Sequence, residues 1–436
     1  MTPPDEPAEG EFELSSEAAE KMGTQLASAL APSHASSETI EIPEHDTWPY
    51  EIDGAKGTAW VFLADGHDDL TDPLIVSDGF QGVPSSLEEW SVLWSEDPDD
   101  PEGYPWAKDV SDAGKDLILL GYNDRTASIL DNAKIAKACI LEAIEKRVGD
   151  TPLVVGGFSM GGLITRYTLA LMEYEEEHDG GPDHQTSTYF SYDSPHRGGW
   201  IPISVQAFAH FIAGLKPNEP KMTAMSRMLN SPAARQMATY HISTHKNDPQ
   251  AAPDDLRDTF SDALQRVGSF PQKPKRIAVA NGRADGVIRD LPTDNITLLW
   301  SGKPGATLYG QTPGTGQVVA QLRGLLPNFT VKTDDIPALD GAPGGTLETN
   351  GIAVNALTNE GITASTAFPW VCFVPTVSAV DVADPESSAT SPIPPSPPAG
   401  CGFHTYKCAT ASDEPADLEH TRLTRELCTW LLENFE

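Results

Sequence analysis

The five residues Gly-Phe-Ser-Met-Gly at positions 157–161 carry the strongest chemical signal in the sequence. They follow an apolar run at 153–157 and precede a helical pattern that extends from Gly162 to about Glu176. A serine on such a strand–helix turn projects its hydroxyl group beyond the strand, and the flanking glycines let neighbouring backbones pass closely. The pattern predicts that Ser159 is a nucleophile; an ordinary strand–helix turn is the alternative.

A serine hydroxyl group needs a base to remove its proton. His420 stands in Asp417-Leu418-Glu419-His420, just before a helix predicted at 421–435. An imidazole on the loop between the last strand and the last helix can lie over the nucleophile turn. Of the eleven histidines we therefore predict His420 as the base, with His196 and His404 as alternatives.

A third group, an acid, would fix the tautomer of the imidazole and stabilise its protonated form. Two aspartates are candidates. Asp285 follows a predicted strand by a short loop, and Asp381 lies nearer to His420 in the sequence. The residues themselves leave both possibilities open.

An acyl-transfer site also needs two backbone N–H groups that bind the oxyanion. One is expected from Met160, the residue after the nucleophile. The other is expected from Phe80 in Ser77-Asp78-Gly79-Phe80, which ends an early apolar strand. A plain glycine turn at the end of that strand is the alternative.

The elements that must position these groups alternate between strand and helix. Short apolar runs predict strands, and apolar residues at three- and four-residue spacing predict helices between them. This alternation predicts an α/β fold with a parallel sheet covered by helices. The predicted strands of this sheet are 59–63, 73–77, 116–120, 153–157, 188–192 and 276–280.

We predict one large α/β domain at 46–436 after a flexible acidic arm at 1–45. Inside the domain we expect a helical lid at 200–270, a β-rich insertion at 290–370 and a Pro/Ser-rich loop at 384–400. The lid places Ile201, Val205 and Phe208 on one helical face. That face would either contact the acyl chain of a substrate or pack on the core.

The composition excludes two classes of protein. The chain has 436 residues and a net charge of −35, with no basic stripe that would bind a phosphate backbone, so nucleic-acid binding is not expected. No apolar stretch is long enough to cross a bilayer. The excess of acidic residues indicates either a surface adapted to high salt or simply an acidic protein. The N-terminus shows no signal segment, which favours the cytoplasm as written, or secretion if a leader was trimmed.

Four motifs resemble those of the lipase-like α/β-hydrolases, in particular serine esterases related to the GPI inositol-deacylases and to bacterial lipase-like hydrolases. The motifs are Asp78-Gly79-Phe80 and residues 157–163, 193–199 and 373–379. The likeness covers roughly residues 58–290 and 370–436. Many lipases have an Asp-Gly pair, with a catalytic aspartate, shortly before a Val-Pro run. Here Asp285-Gly286 and Val374-Pro375 would be the two parts of this lipase pattern, separated by the β-rich insertion. The resemblance therefore favours Asp285 over Asp381.

The resemblance implies an α/β-hydrolase fold and hydrolysis of carboxylic esters on a Ser-His-Asp triad, without a metal ion or cofactor. The expected substrate is a small or lipid-like hydrophobic ester. An acyltransferase or an amidase could use the same triad, and a non-catalytic binding protein of the same fold is a third possibility. The sequence does not predict the oligomeric state.

Overall fold

A computed structural model describes residues 14–30, 42–95, 104–324, 327–410 and 417–436. The strands in these residues are β1 (Asp46–Ile52), β2 (Ala55–Phe62), β3 (Pro73–Ser77), β4 (Asp116–Tyr122), β5 (Leu153–Phe158), β6 (Thr186–Tyr192), β7 (Lys275–Arg283), β8 (Ile296–Trp300), β9 (Gly305–Tyr309), β10 (Gln317–Arg323), β11 (Asn328–Thr333), β12 (Gly344–Leu347), β13 (Ala364–Ser365), β14 (Val371–Pro375) and β15 (Thr405–Ala409).

Helices lie between the strands. They are α1 (Ser16–Ser28), α2 (Leu87–Trp90), α3 (Trp106–Asp112), α4 (Ile129–Lys146), α5 (Met160–Asp179), α6 (Ile203–Leu215), α7 (Ala224–Leu229), α8 (Pro232–Met237), α9 (Asp255–Arg266), α10 (Thr349–Thr358), α11 (Thr376–Ala379), α12 (Pro385–Ser388) and α13 (Arg425–Glu433). A single 3₁₀ turn, Ser91–Trp94, follows α2.

Eight strands form the central sheet in the order β1-β2-β4-β3-β5-β6-β7-β15. β2 runs antiparallel to both of its neighbours, and all pairs from β4 to β15 are parallel. This mixed sheet confirms the predicted α/β class, and the sharp turn between β5 and α5 fits the α/β-hydrolase fold.

The register of the sheet brings three strand ends together. Ser77 at the end of β3 pairs with Gly157 of β5, and Phe158 of β5 pairs with Tyr192 at the end of β6. The loops that begin at Asp78, Ser159 and Asp193 therefore leave the same edge of the sheet side by side. Brought together in this way, they can form one site.

Both faces of the sheet are covered, because successive residues of its central strands enter different apolar clusters. Val155 of β5 packs in the larger cluster and Val154 in the smaller one. The same alternation holds for Ile118 and Leu119 of β4. Strands buried on both sides read as continuous apolar runs, which is why the sequence showed them clearly.

The turn after β5 fits only because its glycines lack side chains. A Cβ atom built on Gly161 would lie 2.1 Å from the carbonyl oxygen of Ser77. One built on Gly157 would lie 2.6 Å from the carbonyl carbon of Gly161. β3, β5 and the first turn of α5 are therefore in backbone contact around Ser159.

The predicted β-rich insertion contains a second, antiparallel sheet of order β11-β10-β9-β8-β13. The pair of β12 and β14 then leads the chain back towards the central sheet. The segment predicted as a helical lid contains α6 to α9. The loop predicted at 384–400 contains the short helix α12.

The expectation of a flexible arm at 1–45 is wrong for Ser16–Ser28, because these residues form a packed helix. Helix α1 packs against α7 and α10, with Met22 and Leu26 buried. Its N-terminus is capped by the Ser15 hydroxyl, which accepts a hydrogen bond from the Ala18 N–H. Residues 1–13 and 31–41 of the arm lie outside the described residues.

No helix among the described residues is both long and apolar enough to cross a membrane.

We expect Gly161→Ala to lower the free energy of unfolding by about 1–3 kcal/mol, because the new methyl group overlaps a backbone oxygen that cannot rotate away. Chemical denaturation measures the change. Gly214→Ala in α6 is the matched control, because its Cβ position is 3.6 Å from the nearest atom, the Cε1 of His245. Alanine should be neutral or stabilising there, by up to about 1 kcal/mol. Equal effects of the two substitutions would contradict this packing.

Candidate functional site

Ser159 occupies a strained turn between β5 and α5. Its φ of 54° and ψ of −125° are unusual for a residue with a side chain. The Ser159 N–H donates to the Tyr192 carbonyl at 2.9 Å, and this bond ties the turn to the end of β6. The residue is 6% exposed. The strain fits the sharp strand–helix turn that presents a nucleophilic hydroxyl group.

His420 lies against this serine. The distance between Ser159 Oγ and His420 Nε2 is 2.7 Å, and the imidazole is buried. Its backbone N–H donates to the Thr346 carbonyl of β12 at 2.8 Å, and the Phe373 ring of β14 contacts the imidazole edge-on at 4.8 Å. The strands that close the insertion therefore hold the imidazole in place.

The carboxylate partner of His420 is Asp193. Asp193 Oδ2 lies 2.7 Å from His420 Nδ1, and Oδ1 accepts the Asn281 N–H at 3.0 Å. Both Asp193 and His420 are almost fully buried. The carboxylate accepts the Nδ1 proton, which leaves the lone pair of Nε2 for the Ser159 hydroxyl proton.

Asp193 reaches the imidazole because its backbone turns sharply after β6. Its φ is 49°, and its N–H donates to the Val279 carbonyl of β7 at 2.7 Å. β12 passes so near that a Cβ atom on Gly345 would lie 1.9 Å from Asp193 Oδ2. A glycine is required where β12 crosses this carboxylate.

Neither of the two aspartates expected from the sequence contacts His420. Asp285 forms an ion pair with Arg283, which holds the pKa of the Asp285 carboxyl group below its usual value. Asp381 accepts hydrogen bonds from Arg197 Nε at 2.8 Å and from the Gly402 N–H at 2.7 Å. The expectation of Asp285 or Asp381 as the partner of the imidazole is wrong.

The sequence analysis assigned no role to Asp193, although this residue begins the motif at 193–199. The available signal was the predicted strand at 188–192, which directly precedes the aspartate. Two parallel strands that are neighbours in the sheet end at the same edge, but the sequence does not show which strands are neighbours. The order of β5 and β6 supplies that information.

The alternative histidines have other partners. His196 bonds Ser191 Oγ through Nε2 at 2.7 Å and Arg166 through Nδ1 at 3.2 Å. Burial, with the nearby Arg166 and Arg197, holds the pKa of His196 well below its usual value. His404 contacts Arg276.

Phe80 and Met160, the expected oxyanion donors, flank Ser159. Met160 follows it in the chain, and the residue before Phe80 is so near that a Cβ atom on Gly79 would lie 3.6 Å from Ser159 Oγ. Within the described residues, neither the Phe80 N–H nor the Met160 N–H donates to a protein acceptor. Two backbone donors beside Ser159 therefore remain available for a negatively charged oxygen.

Arg125 fixes the orientation of the peptide bond that carries the Phe80 N–H. Its Nε donates to the Gly79 carbonyl at 2.8 Å, and its Nη2 donates to Asp78 Oδ1 at 2.9 Å. Asp78 Oδ1 also accepts the Gly79 N–H at 2.7 Å. Because C=O and N–H point in opposite directions across a trans peptide, the Phe80 N–H is directed away from Arg125.

Ile201, Val205 and Phe208 do not form a face that is open to a substrate. Ile201 precedes α6, while Val205 and Phe208 are 2% and 1% exposed. The Phe208 ring packs edge-on against Trp300 of β8. Phe208 thus joins α6 to the insertion, and Val205 and Phe208 follow the core-packing alternative, while Ile201 is only partly buried against the same core cluster.

Among the described residues there is no group of three or more His, Cys, Asp or Glu side chains that could hold a metal ion.

Searches with the sequence found no matching family model and no similar curated protein. Solved structures match only at low similarity. The lipase BlEst2 of Bacillus licheniformis in its mature form is 13% identical, with 52% of this chain and 72% of that chain covered and a TM-score of 0.31. Est1E from Butyrivibrio proteoclasticus is 16% identical, with 53% and 76% covered and a TM-score of 0.29.

A third match is brefeldin A esterase, described as a bacterial homologue of human hormone sensitive lipase. It is 14% identical, with 63% of this chain and 79% of that chain covered and a TM-score of 0.30. Such low values transfer no activity, so the fold assignment rests on the strand order of the sheet. The expected relation to the GPI inositol-deacylases stays a prediction.

We expect Arg125→Met to lower the free energy of unfolding by about 3 kcal/mol, because it leaves the Asp78 carboxylate, 13% exposed, without its cation. Thermal or chemical denaturation measures the loss. Lys108→Met is the control, since the Lys108–Asp112 pair is exposed and should contribute nothing measurable. Equal stability of the two variants would contradict a stabilising role of the Arg125–Asp78 ion pair.

Proposed function

We propose that this protein is a serine hydrolase that cleaves carboxylic esters through an acyl-enzyme. The observation that carries the proposal is the chain of two 2.7 Å hydrogen bonds from Ser159 through His420 to Asp193. A serine on a strained strand–helix turn, a buried imidazole and a buried carboxylate in this order are the parts of a nucleophilic triad.

In the proposed first step His420 Nε2 takes the proton of the Ser159 hydroxyl group as Oγ bonds to the ester carbonyl carbon. The carbonyl π electrons move to the oxygen, which becomes an oxyanion. When the tetrahedral intermediate collapses, the C–O bond to the alcohol breaks and the imidazolium donates its proton to the leaving oxygen. Asp193 stabilises the imidazolium throughout without taking its proton.

Water completes the cycle. His420 removes a proton from a water molecule that attacks the acyl-enzyme, and the second intermediate releases the carboxylic acid and restores Ser159. An alcohol or an amine in place of water would give acyl transfer, so hydrolase and acyltransferase differ only in the acceptor. Product analysis with added alcohol or amine distinguishes the two.

The proposed oxyanion hole consists of the Phe80 and Met160 N–H groups. Three features support it: the position of Gly79 beside Ser159 Oγ, the lack of another acceptor for either N–H in the part of the chain that the structure describes, and the N-terminus of α5 at Met160. The helix terminus adds partial positive charge where negative charge develops. Each donor should contribute about 3 kcal/mol to lowering the barrier.

The substrate class that we propose is a carboxylic ester. A preference for esters with hydrophobic acyl chains was expected from the lid face of Ile201, Val205 and Phe208, and the structure does not support it, because Val205 and Phe208 are core residues. It therefore stays a separate prediction, and a series of p-nitrophenyl esters from acetate to decanoate tests it. Equal rates along the series would contradict it.

We expect Asp193→Asn to lower kcat for p-nitrophenyl ester hydrolysis by about 10⁴-fold, because an amide in place of the carboxylate favours the wrong imidazole tautomer. Asp285→Asn is the matched control and should retain wild-type activity, because the hydrogen bonds of the Asp285 carboxylate with the described residues go to Arg283 and to the Val287 N–H of its own turn. Circular dichroism verifies that both variants are folded. A large loss with Asp285→Asn, or wild-type activity with Asp193→Asn, would contradict the proposed triad.

A further inference from the structure

A polar cavity lined in part by Leu163 and Arg166 of helix α5 contains none of the proposed catalytic residues. Its volume is about 160 Å³, well above the roughly 10–15 Å³ that one water molecule needs. Its polar lining residues include Arg166 of α5, His196, Gln236 and Arg257, and its apolar ones include Leu163 and Phe260. None of these side chains takes part in the proposed ester hydrolysis.

Arg166 is buried, at 6% exposure, and forms no ion pair with an acidic side chain among the described residues. Its Nε donates to the Ser269 carbonyl at 2.7 Å, its Nη1 donates to His196 Nδ1 at 3.2 Å, and the guanidinium stacks 3.5 Å above the centre of the Phe270 ring. Within the described residues, Nη2 has no hydrogen-bond partner. One edge of this cation is therefore free at the cavity wall.

Arg257 of α9 brings a second guanidinium to the same cavity. Its Nη2 donates to the Arg197 carbonyl at 2.7 Å and its Nη1 donates to the Met237 carbonyl at 3.3 Å. Nε has no partner among the described residues. Carbonyl oxygens orient this group but cannot neutralise its charge.

No carboxylate oxygen of the described residues lies within 4.0 Å of either guanidinium. Acidic side chains act on the two cations only from beyond that distance: Asp381 on Arg166, and Glu386, Asp384 and Asp258 on Arg257. Asp381 and Asp384 already pair with Arg197. His196 adds no negative charge, since it is a neutral imidazole that accepts from Arg166.

Arg166 is a buried cation and Arg257 a half-buried one, and neither has a carboxylate of the described residues within 4.0 Å. Burial penalises the charged form, so it lowers the pKa of Arg166 to about 10 and the pKa of Arg257 below its usual value, and keeping these two groups charged is costly. They are also unexpected in a chain with 64 acidic and 29 basic side chains. A bound anion would offset this cost. Guanidinium groups favour planar or tetrahedral oxyanions, which can accept two N–H bonds at once.

We propose that the cavity between Arg166 and Arg257 binds one small oxyanion: phosphate, sulfate or a short carboxylate. The free edges of the two guanidiniums supply the charge, and the Gln236 side chain narrows the cavity. The ligand would connect α5 to α9 and to the loop that leaves Asp193. Binding should therefore stabilise the fold, independently of whether Ser159 hydrolyses esters.

The test is a titration of the full chain with phosphate, sulfate or acetate, with the ionic strength held constant by KCl. Thermal unfolding should show a saturable rise in Tm of about 2 °C or more, because an anion that binds only the folded state shifts the equilibrium. Calorimetry should give one site per chain. The relative affinities of the three anions distinguish a phosphate-type ligand from a carboxylate.

Arg257→Gln and Arg166→Gln should remove the saturable rise. Arg323→Gln is the matched control, since its guanidinium also binds backbone carbonyls, at Trp300 and Gly302, but lies in the separate sheet of the insertion. If Arg166→Gln does not fold, the calorimetric result with wild-type protein and Arg257→Gln decides. A linear, unsaturable response, or the same response in wild type and Arg257→Gln, would overturn the proposal.

Discussion

The hydrogen bond between Asp193 and His420 is the contact on which the candidate site depends. It joins residues 227 positions apart, and the neighbouring bond from His420 to Ser159 joins residues 261 positions apart. An imidazole has two nitrogens, and the carboxylate at Nδ1 decides that Nε2 is free to accept a proton. The rest of the fold must hold these three loops at hydrogen-bonding distance, because a displacement of about 1 Å would reduce the rate of the proposed reaction greatly.

The sheet supplies part of that positioning and the insertion supplies the rest. β3, β5 and β6 end in register, which places the loops of Phe80, Ser159 and Asp193 next to one another. His420 is positioned in another way, because its backbone N–H donates to the Thr346 carbonyl of β12 and its ring packs on Phe373 of β14. The second sheet, which has its strands within 296–365, thus interrupts the chain between two parts of the candidate site, and the separate pair of β12 and β14 contributes to that site.

The sequence predicted those features that depend on local pattern. The turn at Ser159 and the buried strands were predicted from short runs of consecutive residues. The prediction of His420 used its position between the last strand and the last helix. The partner of His420 depends on which strands are neighbours, and that information is not local. Asp285 was favoured over Asp381 because Asp285-Gly286 and Val374-Pro375 resemble a lipase pattern, yet its carboxylate forms an ion pair with the neighbouring Arg283. Helix α6 is apolar on nearly all sides, which is typical of a buried helix rather than of a lid.

Labelling by a fluorophosphonate probe tests the central claim most directly, because the probe reacts with a serine that a base has activated and needs no guess about the substrate. Mass spectrometry of the labelled wild-type protein should find the adduct on Ser159, and folded Ser159→Ala and His420→Ala variants should not be labelled. Detergent and high salt are included as further conditions, because Ser159 is only 6% exposed. A folded wild-type protein that stays unlabelled in every condition, or that is labelled at another serine, would contradict the account.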